Sequence, residues 1–147
     1  MSKTLIAAAA LAAFSTTAVL AQDYSLTPNY GTYTLNGGFL PDPSELDVVA
    51  GGSVDAGNVG CSGYISNAPD VRLMWNGGSI GIGARSSSDT TLVVNAPDGN
   101  WYCSDDVDGL NPYLNLSGSG QYDIWIGTYD GGTASAVVYA TEYGSPQ

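Results

Sequence analysis

The chain has no histidine, and its 147 residues include only three basic side chains against 14 acidic ones. Without an imidazole it has no Ser-His-Asp or Cys-His relay, no histidine-ligated zinc and no histidine pH switch. The formal net charge of −11 argues against binding to nucleic-acid backbones, which requires clustered Lys and Arg, and disfavours anionic membrane surfaces. We therefore expect no nucleic-acid partner.

The sequence also lacks segments with the 3.6-residue apolar period of a surface helix. Alternation with period two replaces it. In the segment 122–126, Tyr122, Ile124 and Ile126 fall on one face of a strand and Asp123 and Trp125 on the other. Segments of this kind lie at 31–35, 45–49, 71–75, 79–84, 90–95, 113–116, 122–126 and 134–141.

Turn signals rich in glycine, proline, asparagine and aspartate separate these segments. Short strands at such spacing predict an all-β fold, an antiparallel β-sandwich or jelly roll of seven or eight strands. We expect a first strand within an N-terminal segment (22–44), a β-sandwich domain (45–141) and a flexible tail (142–147). No internal repeat or linker divides the chain.

The first 21 residues have the pattern of a secretory signal peptide. Lys3 precedes an apolar run over residues 5–14, and the segment ends in Ala21 ahead of polar residues. The apolar core is too short to span a bilayer. Cleavage after Ala21 predicts a secreted or periplasmic protein with no membrane insertion once the signal peptide is removed.

Four side chains are candidates for covalent or ionic cross-links. In an oxidising compartment Cys61 and Cys103, the only cysteines, are expected to form one structural disulfide. Once Lys3 is removed with the signal peptide, Arg72 and Arg85 are the remaining cations. Among so many acids, they are predicted to form ion pairs rather than to bind a substrate.

The segment 89–129 carries a resemblance to a known family. It contains a Pro-Asp-Gly turn at 97–99, an acidic loop at 105–108 and a Gly-x-Tyr strand that begins at residue 120. With the upstream piece 51–61, this resembles the bacterial pre-peptidase C-terminal (PPC) domain, a secreted β-sandwich often appended to extracellular proteases. The resemblance implies an exported accessory module that binds or supports and does not catalyse.

The residues themselves give no support to a peptidase. No histidine can serve as base to a serine, the single lysine is removed with the signal peptide, and no pair of Asp-Thr/Ser-Gly motifs is present. We therefore expect no catalytic residues and no required cofactor. A hydrolase-associated protein that takes a peptidase name by homology is the third interpretation.

Acidic and amide side chains gather near the predicted turns after residue 97. Oxygen ligands of this kind suit Ca²⁺, which is the candidate ion. The spacing does not match an EF-hand loop, so a solvated acidic loop that promotes solubility stays open as the alternative. The candidate ligands are Asp98, Asp105, Asp106, Asp108 and Asn111.

Aromatic side chains suggest a second candidate site. Trp101, Trp125 and Tyr129 could form a flat surface on which sugar rings stack, because Trp125 and Tyr129 alternate away from Ile124. Aromatic residues also pack across neighbouring strands, so core packing is the alternative. A carbohydrate-binding or adhesion protein is therefore the alternative function, with an extracellular protein or polysaccharide as its partner.

Overall fold

The computed structural model describes residues 22–145. They form two facing β-sheets and a single turn of 3₁₀ helix, so the predicted all-β sandwich class is confirmed. The predicted signal peptide lies outside the described residues, as do Pro146 and Gln147. Within residues 22–145 no helix has the length and apolar character needed to cross a bilayer.

Eleven strands are present in this part of the chain. The 3₁₀ turn, Ala56–Val59, follows the third. In chain order the strands are β1 (Thr32–Asn36), β2 (Ser44–Gly51), β3 (Val54–Asp55), β4 (Tyr64–Ile65), β5 (Val71–Asn76), β6 (Ser79–Arg85), β7 (Thr90–Asn95), β8 (Trp101–Ser104), β9 (Tyr113–Ser117), β10 (Gly120–Thr128) and β11 (Thr133–Thr141).

The larger sheet is organised around β10. Along one edge, β10 pairs first with β5 and then with β4. Along its other edge it pairs with β7, which in turn pairs with β8. The smaller sheet has the order β2-β11-β6-β9 and is antiparallel throughout. All eight predicted strands are present. The predicted number of seven or eight is nevertheless too low, because β3, β4 and β8 are short and lack a clear alternating pattern.

One pairing departs from the predicted antiparallel arrangement. β1 runs parallel to β5 at the edge of the larger sheet. The chain between them crosses to the smaller sheet as β2 and returns, and long connections of this kind allow parallel neighbours. The N-terminal segment therefore contributes a strand to the sandwich itself.

The main core lies between the two sheets. Tyr122, Ile124 and Ile126 of β10 face inward, as their alternation predicts, and each is at most 2% exposed. Facing them from the smaller sheet are Ile80, Ile82 and Ala84 of β6 and Val138 of β11. Their burial supplies the main hydrophobic stabilisation of the sandwich.

A second, smaller core lies on the outer face of the larger sheet. Residues 54–65, which we call the covering segment, pack over Val93 and Trp125. The predicted disulfide between Cys61 and Cys103 is confirmed, and it ties the covering segment to β8. Because the two cysteines are 42 residues apart, the loop-entropy model gives the bridge about 4 kcal/mol of stabilisation.

Asp70 lies where β10 changes its pairing partner from β5 to β4. Between these pairings the N–H of Ile126 donates to Asp70 Oδ2 at 2.8 Å, in place of a strand carbonyl. Asn29 Nδ2 donates to the other oxygen at 3.2 Å. Asp70 is 1% exposed, and burial raises its pKa to about 6. A single buried carboxylate therefore completes the hydrogen bonding at this point of the sheet.

The two arginines form the predicted ion pairs. Arg72 Nε contacts Asp123 Oδ1 at 2.7 Å on the outer face of the larger sheet. Arg85 pairs with Glu45 and lies 5.0 Å from the centre of the Tyr139 ring. Arg72 is therefore held by the neighbouring strand β10, whereas Arg85 contacts Tyr139 of the neighbouring β11 and pairs with Glu45 of β2, one strand further away.

The start of the predicted flexible tail has contacts of its own. Glu142 Oε2 accepts a hydrogen bond from the N–H of Gly38 at 2.7 Å, and the N–H of Glu142 donates to Asp42 Oδ2 at 3.0 Å. These bonds join the end of β11 to the turn between β1 and β2.

Candidate functional site

A row of side chains crosses the outer face of the larger sheet. In the strand register Trp101 lies opposite Asn95, Asn95 opposite Asp123, and Asp123 opposite Arg72. Because side chains alternate along a strand, this row shares its face with Trp125, two residues beyond Asp123. The row therefore lies beside the small core and on the same surface.

Asp123 is the fixed point of the row. Its exposed fraction is 2%, and each carboxylate oxygen is engaged. Oδ1 accepts from Arg72 Nε at 2.7 Å, and Oδ2 accepts from Gln121 Nε2 at 2.8 Å. Nη2 of Arg72 donates to the backbone carbonyls of Tyr24 at 2.5 Å and Leu26 at 3.3 Å. Arg72 thus links Asp123 to the N-terminal strap, our name for residues 22–30.

The strap brings an aromatic ring to the row. The Tyr24 ring lies 6.3 Å from that of Trp101, centre to centre, and Trp101 in turn lies 5.4 Å from Trp125. An open groove of about 360 Å³ lies beside them. Its lining includes Tyr24, Asn95, Pro97, Trp101, Gln121 and Asp123.

Asn95 contributes a hydrogen-bonding group to this groove. The residue is 9% exposed, and within residues 22–145 its side-chain amide has no hydrogen-bond partner. The amide atoms of Asn95 keep contact with solvent, and an asparagine offers two N–H donors and a carbonyl acceptor. The groove is the surface through which a ligand can reach this amide.

The predicted stacking surface needs correction. Trp101 lines the groove, but Trp125 is 0% exposed beneath the covering segment and is a core residue. Tyr129 is 47% exposed, but it follows the far end of β10, where its N–H bonds to the carbonyl of Asp89. Alternation separates the two faces of a strand and does not reveal which part of a face is covered.

Tyr24 was missed by the sequence analysis. It lies in the strap, a segment without alternating pattern and without a strand. Its place beside Trp101 depends on hydrogen bonds from Arg72 to backbone carbonyls, which any residue type could provide. No sequence signal identifies such a contact.

An acidic cluster forms a separate candidate site. One carboxylate oxygen from each of Asp89, Asp105 and Asp106 lies within 4.8 Å of the others. The Oδ1 atoms of Asp89 and Asp105 are buried and have no hydrogen-bond partner in the described part of the chain. Burial, followed by repulsion from Asp106, raises the pKa of both carboxyls. These oxygens are of the type that could hold a hard cation.

Three of the five predicted calcium ligands lie outside this cluster. Asp98 accepts from the Tyr102 hydroxyl at 2.6 Å, and this bond is the main reason that its pKa lies below the usual range. Asn111 Oδ1 accepts from the N–H of Ser86 at 2.9 Å, and Asp108 is exposed. The structure therefore groups Asp105 and Asp106 of the predicted set.

Asp89 completes the cluster and was not predicted. It precedes β7, whereas Asp105 and Asp106 follow β8, and the antiparallel pairing of β7 with β8 brings the two ends together. One sequence signal could have identified Asp89. A turn joins β7 to β8, and in such a hairpin the residue before the first strand lies near the residues after the second.

Comparison with family models, with curated proteins and with solved structures finds no match for this chain. The resemblance to the PPC domain stays a prediction.

Proposed function

We propose that this protein is an exported, non-catalytic module that binds an extracellular polysaccharide in the groove beside Tyr24 and Trp101. The observation that carries the proposal is the combination of two aromatic rings with the amide of Asn95 in one concave surface. Apolar lining with a few placed polar groups is typical of ligand sites. Aromatic faces suit the C–H faces of sugar rings, and amides suit their hydroxyl groups.

The carboxylate content of the groove favours binding over hydrolysis. Glycosidases generally use two carboxylates that flank the scissile bond. Asp123 is the single carboxylate residue among those that line the groove, and both of its oxygens are held by Arg72 and Gln121. The whole sequence has no histidine to serve as an alternative base.

Export is supported by two independent features. The disulfide between Cys61 and Cys103 is typical of proteins that fold in an oxidising compartment. The first 21 residues have the charge, apolar run and small-residue end of a secretory signal. An accessory module of this kind also agrees with the resemblance to the PPC domain.

Replacement of Trp101 tests the polysaccharide site. Trp101→Ala removes a ring that lines the groove, and we expect it to weaken binding to a panel of neutral polysaccharides about tenfold or more in affinity electrophoresis. Tyr129→Ala is the matched control, since Tyr129 is an exposed aromatic outside the groove lining. Equal binding by Trp101→Ala and the unmodified protein would reject the groove as the site.

A second candidate property, stabilisation by Ca²⁺, rests on the acidic cluster. The buried Oδ1 atoms of Asp89 and Asp105 lack protein partners, and Asp106 adds a third carboxylate within 4.8 Å. A bound Ca²⁺ would neutralise their repulsion and take further oxygens from the backbone or water. The competing interpretation is a solvated acidic loop that needs no ion.

Thermal melting in EGTA and in millimolar calcium separates these interpretations. If the free Ca²⁺ concentration is about 100 times the dissociation constant of the folded protein, binding stabilises the fold by about 2.7 kcal/mol and raises the melting temperature. Asp89→Asn should abolish this rise, whereas Asp108→Asn, an exposed carboxylate in the same region, should retain it. An unchanged melting temperature in the unmodified protein would remove the calcium proposal.

A further inference from the structure

We infer that the groove selects N-acetylated amino sugars and that Asn95 binds the acetamido group. The inference rests on the proposed function, because it names the class of sugar that the same groove takes. Three observations carry it: the unpaired amide, the apolar surface beside it, and the absence of an available charged group in the lining.

The amide of Asn95 is positioned for a ligand with both a donor and an acceptor. The residue is 9% exposed, lies between Trp101 and Asp123 in the strand register, and has no side-chain hydrogen bond within residues 22–145. An acetamido group carries one N–H and one carbonyl, which match the carbonyl and N–H₂ of asparagine. A ligand that pairs both groups is favoured over one that displaces water from the amide without replacing its hydrogen bonds.

The surface beside this amide suits the acetamido methyl group. Pro97, two residues after Asn95, lines the same groove, and the Trp101 ring lies on the neighbouring strand. A hydroxyl group at the same position of the sugar would leave this apolar surface uncovered, so the methyl group adds a contact that an unsubstituted hexose cannot make.

The charges of the groove disfavour ionic sugars. Both oxygens of Asp123 are engaged, so the groove offers no free carboxylate to a protonated amine. Arg72 is held by Asp123 and by two strap carbonyls, and the chain as a whole carries a net charge of −11. Uronic acids and sulfated sugars therefore meet repulsion without a compensating cation. A neutral acetamido sugar avoids both penalties.

Two oligosaccharides of equal length test the inference. A β-1,4-linked tetramer of N-acetylglucosamine and a β-1,4-linked tetramer of glucose differ at C2, where one has an acetamido group and the other a hydroxyl. In isothermal titration calorimetry we expect the unmodified protein to bind the acetylated tetramer at least about tenfold more tightly. Asn95→Ala should reduce that affinity to the level of the glucose tetramer. Trp101→Ala should weaken both tetramers.

The outcomes distinguish this inference from the function on which it rests. Equal affinity for the two tetramers would overturn the acetamido selectivity and leave polysaccharide binding intact. If the protein binds neither tetramer and no other neutral glycan, the proposed function is overturned together with the inference. Selectivity that persists in Asn95→Ala, or in the more conservative Asn95→Ser if the first variant unfolds, would overturn the role of Asn95. Circular dichroism of each variant checks its fold.

Discussion

The outer face of the larger sheet has two halves, which differ although the same strands form them. β7 and β10 contribute Val93 and Trp125 to the covered half, and both side chains are 0% exposed. Two residues away along each strand, Asn95 and Asp123 belong to the open half that carries the groove. The strands themselves do not distinguish these positions.

The difference between the halves comes from what lies above them. The covering segment, residues 54–65, packs over one half and is tied to β8 by the disulfide. Within residues 22–145, the other half is contacted by the N-terminal strap, whose carbonyls are held by Arg72. Trp101 lies at the boundary, with Trp125 on one side and Tyr24 on the other. The candidate ligand site therefore lies on the part of this sheet face that the covering segment does not reach.

The largest effect should separate the two tryptophans. Trp125→Ala removes a fully enclosed side chain from a core that the disulfide keeps from collapsing, so we expect a loss of about 4–5 kcal/mol in the free energy of unfolding. Trp101→Ala removes a half-buried ring at the boundary and should cost clearly less. Urea denaturation of both variants measures the difference. Equal losses would mean that the two halves are not distinct.

Removal of the disulfide tests the tether. Replacing Cys61 and Cys103 together by serine should lower the free energy of unfolding by about 4 kcal/mol, because the bridge spans 42 residues. The emission maximum of tryptophan fluorescence should shift towards longer wavelength if the covering segment then separates from Trp125. Reductant should destabilise the unmodified protein to a similar extent and leave the double variant unchanged. A double variant as stable as its parent would show that the cover holds without its tether.

A smaller, pH-dependent effect is expected at Asp70, where the strap and β10 meet. Because burial raises its pKa from 3.8 to about 6, the folded protein binds this proton more tightly than the unfolded chain does. The contribution of Asp70 to stability is therefore fully present below pH 3.8 and is lost as the pH rises to about 6. Across this pH range the free energy of unfolding should fall by up to about 3 kcal/mol.

Asp70→Asn isolates this effect, since asparagine cannot ionise and keeps a carbonyl for the N–H of Ile126. From pH 4 to pH 7 the free energy of unfolding of the variant should rise relative to that of the parent by up to about 3 kcal/mol. Urea unfolding at each pH measures this difference. Asp47→Asn, an exposed carboxylate on β2, is the control and should follow the parent. A constant difference between Asp70→Asn and the parent would contradict the prediction.

Much of the fold could be predicted from sequence because alternation is a local property. The inward positions of β10 and all eight of the predicted strands are found. The two-residue strands β3 and β4 could not be predicted, since they exist only through their pairing with each other and with β10. The parallel β1–β5 pair depends in the same way on where a distant segment lies.

The candidate sites were predicted less completely. Trp101, Asp105 and Asp106 were identified by residue type and by their place near turns, and the structure keeps them in candidate sites. Tyr24 and Asp89 were missed because each joins its site across a long sequence separation. Both are brought into place by strand pairing or by hydrogen bonds to backbone groups.

The sequence by itself determined the all-β class, the two sides of each long strand, the cysteine pair and the exclusion of histidine-based chemistry, because composition and period act locally. Only the tertiary structure decided that Trp125 is a core residue, while Asn95, on the same face of the neighbouring strand β7 and two residues beyond Val93, lines a groove. The physical reason is that exposure depends on what packs above a side chain, and both covers, the segment 54–65 and the strap, come from distant parts of the chain.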